Sequence, residues 1–97
     1  MIEHEKMLEI FREGGDEEYL EFDRIENKLS SRPDLHAFIV LNELIPSNRD
    51  IVCAAEHGRI WLDIDTEELA KLIDEPTVID LIRCGVMAED DCLTLFA

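Results

Sequence analysis

Basic residues are scarce in this chain. Its 97 residues hold nine lysines and arginines against 24 aspartates and glutamates, a formal net charge of −15 at pH 7. A surface so short of cations repels phosphate backbones and anionic headgroups, so neither direct nucleic-acid binding nor membrane association is expected. Glycine is scarce as well: none of the four glycines falls in a phosphate-cradling loop pattern, which removes the nucleotide-binding motifs. No apolar run approaches the ~18 residues of a membrane span. The opening MIEHEKMLEIF carries acids where a secretory leader carries bases, so no leader is expected. The three cysteines, Cys53, Cys84 and Cys92, form no CxxC pair and make an odd count. All lie in or beside apolar runs, so they are expected to be reduced, mostly buried small hydrophobes in a cytoplasmic protein.

Catalytic and metal signatures are thin. His4, His36 and His57 are scattered, and no serine or cysteine sits in a recognisable nucleophile motif. Cys84, near the end of a helical stretch, lies at the wrong pole for an activated thiol. Cys53 with His57 lacks a second Cys/His pair for zinc. Asp63 and Asp65, two apart on an extended chain, could offer oxygen ligands to a divalent cation, but Asp65 is better used as a helix cap. Glu89-Asp90-Asp91 lacks the alternating ligands and mid-loop glycine of a calcium loop. The expectation is no catalytic, cofactor or metal residue.

What is present is a core. Hydrophobic residues make up 46% of the chain, enough for one small domain over residues 1–97. The acid is spread over both ends: ten acids and four bases in residues 1–30, four and two in 31–58, ten and three in 59–97. Residues 4–13 place Met7, Leu8, Ile10 and Phe11 on a broad helical face, and Gly14-Gly15 stops it. In DEEYLEFDRIENKLSS, Tyr19, Phe22, Ile25 and Leu29 recur at helical spacing, giving a helix that ends near Ser30; an extended Tyr19–Phe22 with Asp23 as cap is the alternative. Ser31 and Pro33 start a helix that is apolar nearly all round through Ile45, the pattern of an element at the centre of a core.

The most legible stretch is CAAEHGRIWLDIDTEE, residues 53–68. A two-residue turn at His57-Gly58 sets Glu56 opposite Arg59, Ala54 opposite Trp61, Cys53 opposite Leu62 and Val52 opposite Asp63. That register gathers Ile51, Cys53, Ala55, Ile60, Leu62 and Ile64 on one face. Trp61 is left on the other face with Val52, Ala54, Glu56, Arg59 and Asp63, an aromatic ringed by charges like the centre of an interface. The competing expectation is that the N-terminal helix, through Phe11, covers this patch.

Asp65 or Thr66 caps the next helix, which buries Leu69, Leu72 and Ile73 and pairs Glu67 with Lys71. A second helix uses Val78, Leu81 and Ile82, ends at Arg83 and has Gly85 just past its end. VMAEDDCLTLFA closes the chain as a short hairpin or a last strand. The whole is an α+β domain: a small antiparallel sheet, made of the central hairpin 51–64 and a C-terminal strand, packed against about four or five helices.

The order helix, turn, helix, hairpin over residues 66–97 resembles the second half of winged-helix domains. Arg83 is the sole cation of the would-be recognition helix, and Glu89, Asp90 and Asp91 occupy the would-be wing, the opposite of what phosphate contacts require. The function expected is therefore a non-enzymatic protein-binding or regulatory module. Its partner would be a protein with a basic surface or a second copy of itself. A small metal-dependent or catalytic domain, and an acidic nucleic-acid mimic acting on a basic DNA-binding partner, are the alternatives.

Overall fold

The computed structural model describes residues 1–96. The chain runs α1 (His4–Glu13), a single helical turn α2 (Gly15–Glu18), a 3-10 turn (Phe22–Arg24), α3 (Pro33–Leu44), β1 (Val52–Glu56), β2 (Arg59–Leu62), α4 (Thr66–Leu72), α5 (Glu75–Arg83), β3 (Val86–Glu89) and β4 (Cys92–Phe96). Four longer helices therefore accompany a four-stranded antiparallel sheet of order β1-β2-β4-β3. The expected mixed architecture is present, and the C-terminal segment forms a hairpin turning at Asp90-Asp91; Ala97 lies outside the described residues.

The core forms where apolar faces meet. Met7, Leu8 and Phe11 of α1 are buried with Leu69 and Ile73 of the α4 region, Val78, Leu81 and Ile82 of α5, and Leu62, Val86, Leu93 and Leu95 of the sheet. Gly14 lets α1 come close to α5: a Cβ there would lie 2.9 Å from both the Ile10 carbonyl and Ile82 Cδ1. The N-termini of α4 and α5 are capped by Asp65, which accepts from the N–H groups of Glu67 and Glu68, and by Asp74, which accepts from that of Thr77. The hairpin turns at His57 and Gly58 both have positive φ, 52° and 78°, as a type I′ turn requires. Gly85, at φ 100°, ends α5 as expected. The β3–β4 turn is tied down twice: Arg12 Nη2 donates to the Asp90 carbonyl at 3.0 Å, and Thr66 Oγ1 to that of Asp91 at 3.0 Å. Because the Thr66 hydroxyl spends its proton on Asp91, it accepts from His4 Nε2 at 2.9 Å, which places a proton on that nitrogen.

Several expectations are corrected. No helix spans Tyr19–Ser30. Leu20 takes φ 63°, a left-handed conformation no helix continues through, and Glu18 is drawn off to Arg83 at 2.6 Å. Helix α3 is not central: only His36, Ala37 and Leu41 are buried, and Leu35 is 45% exposed. Its cap is Arg32, one residue after Ser31. Leu72 is exposed rather than buried, and Lys71 pairs with Glu68 at 3.2 Å rather than with Glu67. Finally, the hairpin register holds only near its turn. Glu56, Ala55 and Ala54 pair with Arg59, Ile60 and Trp61 as read, but a bulge at Cys53 then sets Val52 opposite Leu62. Every residue of β1 is exposed, so burial does not enforce alternation there, and edge strands are where bulges collect. Cys53 is consequently exposed, its Sγ donating to the Trp61 carbonyl at 3.4 Å, and Cys92 is exposed as well; Cys84 alone is buried. Ile51, Ile60 and Ile64 are half-buried against the core and Leu62 fully buried.

Candidate functional site

Strand parity sorts the sheet into two faces. Leu62, Leu93, Leu95 and Val86 point into the helix-covered core, so Arg59 and Trp61 of β2, Thr94 of β4 and Met87 and Glu89 of β3 share the other face. Ala54, Trp61, Thr94 and Met87 form one row across all four strands. Arg59 and Glu89 lie on strands that flank β4, and Arg59 Nη1 meets Glu89 Oε1 at 2.5 Å. The ion pair thus crosses the face above β4. With Trp61 and Met87 on either side in its row, Thr94 is 1% exposed although it lies on the face turned away from the core. The Glu89 hydrogen bond and charge raise the Arg59 pKa further, so the guanidinium stays charged throughout. The second carboxylate oxygen, Glu89 Oε2, is buried and has no hydrogen-bond partner among the described residues.

Trp61 itself is half-buried and lies outside the core cluster, whereas Phe11 is fully buried within it. The N-terminal helix packs against α4, α5 and β3, so it does not serve as the cover for Trp61 that the sequence suggested. A shallow depression of about 310 Å³ is bordered by Glu56, His57, Arg59, Trp61 and Glu89. Of the six residues singled out from the sequence, Trp61, Glu56 and Arg59 border it, and Ala54 is on the same face. Val52 is taken off that face by the bulge, and Asp63 is held by Arg49 at 3.2 Å. Glu89, Thr94 and Met87 were missed. Alternation about Asp90-Asp91 puts them on one face, but only the β2–β4 pairing, between strands some 30 residues apart in sequence, brings that face to Trp61.

The other candidates resolve into structural roles. Asp65 caps α4 and Asp63 is ion-paired. Among the described residues, no three His, Cys, Asp or Glu side chains converge as a metal-holding set. Burial pushes the Cys84 thiol up to about 12, far from a reactive thiolate. Helices α4 and α5 and the β3–β4 hairpin do follow one another in the winged-helix order. Arg83, however, is spent on Glu18 at 2.6 Å and Asp80 at 3.1 Å, and the hairpin tip is Asp90-Asp91. Among the described residues no helix is long and apolar enough to cross a membrane. Compared with protein-family models, curated proteins and solved structures, the chain matches none of them.

Proposed function

We propose that this chain is a non-enzymatic protein-binding module whose Trp61 face receives a basic, extended or loop segment of a partner protein. The observation that carries this reading is the half-buried tryptophan on the sheet face turned away from the core, set in a depression rimmed by Glu56 and Glu89. An indole of this kind offers a large rigid contact area, and acids around it favour a cationic neighbour. Two features add to it. Glu56 on the rim is exposed, and the net charge of −15 draws a basic partner at long range. Arg59 already occupies Oε1 of Glu89 and Oε2 is buried, so an incoming lysine or arginine takes up Glu89 by displacing Arg59 or by turning the carboxylate outward.

Trp61 is the only tryptophan, so its emission reports on this face alone. The test is titration with a panel of short peptides carrying lysine and arginine around one aliphatic residue, with an alanine-substituted panel as control. Binding should shift the emission, weaken as salt passes about 0.15 M, where the screening length is near 8 Å, and fall in Glu89→Gln. If no basic peptide moves the emission, or if the shift is indifferent to salt and to Glu89→Gln, the reading is wrong.

A further inference from the structure

Helix α3 contradicts its own composition. No side of it is distinctly more apolar than another, yet only three of its twelve residues are buried. A helix that is apolar all round belongs inside a core or an interface. At 100° per residue, His36, Ala37 and Leu41 point inward, and the half-buried Val40 and Leu44 flank them against the core. The opposite side carries Leu35, Ile39 and Asn42, spaced i, i+4 and i+7, with Phe38 at its margin, half-buried and touching the core; Leu35 is 45% exposed and Ile39 half-buried. Ile39 does not pack against the core at all. From Leu35 to Asn42 there is no formal charge, in the least charged third of a strongly acidic chain.

We propose that this stripe is the contact by which two copies of the chain associate, α3 packing antiparallel on α3 of the second copy about a two-fold axis near Phe38. Charge selects the occupant. An acidic protein meets its own copy with least repulsion where it carries no charge. The helix is also self-complementary at its ends. Arg32, at the N-cap, and Glu43, near the C-terminus, lie eleven residues apart, about three turns, and so share one flank of the stripe. In an antiparallel pair, a flank at one end faces the same flank at the other end of the partner. Arg32 of each copy therefore comes alongside Glu43 of the other, twice by symmetry. Both side chains are exposed, and neither has an ion-pair partner among the described residues. The surface is separate from the Trp61 face, and the proposal does not rest on that reading.

Sedimentation equilibrium of the intact chain tests it. The wild type should reach twice the 11.2 kDa chain mass, and Ile39→Asp should return it to the chain mass with unchanged far-UV circular dichroism. Arg32→Glu and Glu43→Arg should each weaken association by about fivefold, as exposed ion pairs allow, and the double reversal should restore it. Trp61→Ala should leave the mass unchanged. A wild type that stays at the chain mass up to about 1 mM overturns the proposal, since contacts weaker than that are not specific. So does an Ile39→Asp dimer, a double reversal that fails to rescue, or dissociation by Trp61→Ala, which would move the second copy to the sheet face.

Discussion

The backbone N–H of Leu29 donates to Nδ1 of His36 across 3.1 Å, and this bond fastens the irregular segment after Ile25 to the inner side of α3. The imidazole is 3% exposed and stands edge-on to Phe22, centroids 6.0 Å apart at 70°. Lys28 reinforces the same clasp, donating to the Ile25 carbonyl at 2.8 Å with its ammonium 5.3 Å from the centre of the Phe22 ring. Since Nδ1 is the acceptor, the neutral ring carries its proton on Nε2.

Acid should therefore loosen this clasp. Burial lowers the His36 pKa from its usual 6.5; nearby Asp80 opposes that shift and Lys28 adds to it. Below 6.5 the unfolded chain takes up a proton that the folded chain resists, and protonation would set one N–H against another at Leu29. The stability linked to His36 is present in full above 6.5 and is lost as pH falls from there through the lowered folded value. Thermal melts across that range should show the midpoint falling toward acid, and His36→Gln should remove this part of the slope. Equal slopes in the two proteins would show that His36 does not titrate against folding.

The thiols should divide two to one. Cys53 and Cys92 are exposed and Cys84 is buried with its pKa pushed up to about 12 by desolvation. Ellman's reagent on native protein should consume two thiols quickly and the third only after denaturation. Three slow thiols would mean that both Cys53 on β1 and Cys92 on β4 are covered in solution.

The two capping aspartates are equivalent in kind and should cost alike. Asp65→Ala and Asp74→Ala each remove an acceptor from helix-start N–H groups, and each should destabilise by about 1 kcal/mol. The Thr77 hydroxyl and N–H hold the Asp74 carboxyl below its usual 3.8. Its share of stability is thus complete above 3.8 and disappears as pH falls through the lower folded value. Urea melts of the two variants at neutral and acid pH check both statements.

Local chemistry was legible and long-range coverage was not. The bounds of α1, the cap at Asp65, the His57-Gly58 turn and the Gly85 stop all depend on residues within a turn or two of each other, and the sequence states them directly. Alternation in IVCAAE read as a buried face failed because that inference presumes a neighbour on the face. β1 is an edge with none, so the Cys53 bulge costs no core contact. The same presumption misplaced α3, whose apolar composition says that it should be covered without saying by what. The Trp61 site was half legible for the same reason: its β2 residues follow from the hairpin, whereas Glu89 arrives only through β4.

Trp61→Ala separates a structural tryptophan from a binding one. The indole stands outside the core cluster, next to Thr94 in its row and on the same face as the Arg59–Glu89 pair. Truncation should therefore cost about 1 kcal/mol, well short of the ~3–5 kcal/mol for a tryptophan fully enclosed in a core. Leu93→Ala, in the central strand and 0% exposed, provides the internal standard at about 2–5 kcal/mol. Removing the indole also opens Thr94 to water, so its amide should exchange faster while those of Leu93 and Leu95 keep their protection. Chemical denaturation and hydrogen exchange of the two variants measure all of this. A Trp61→Ala loss equal to that of Leu93→Ala would make the indole part of the core and leave the sheet face without its anchor. A small loss accompanied by disappearance of basic-peptide binding is the outcome expected of a residue kept at the surface to meet a partner.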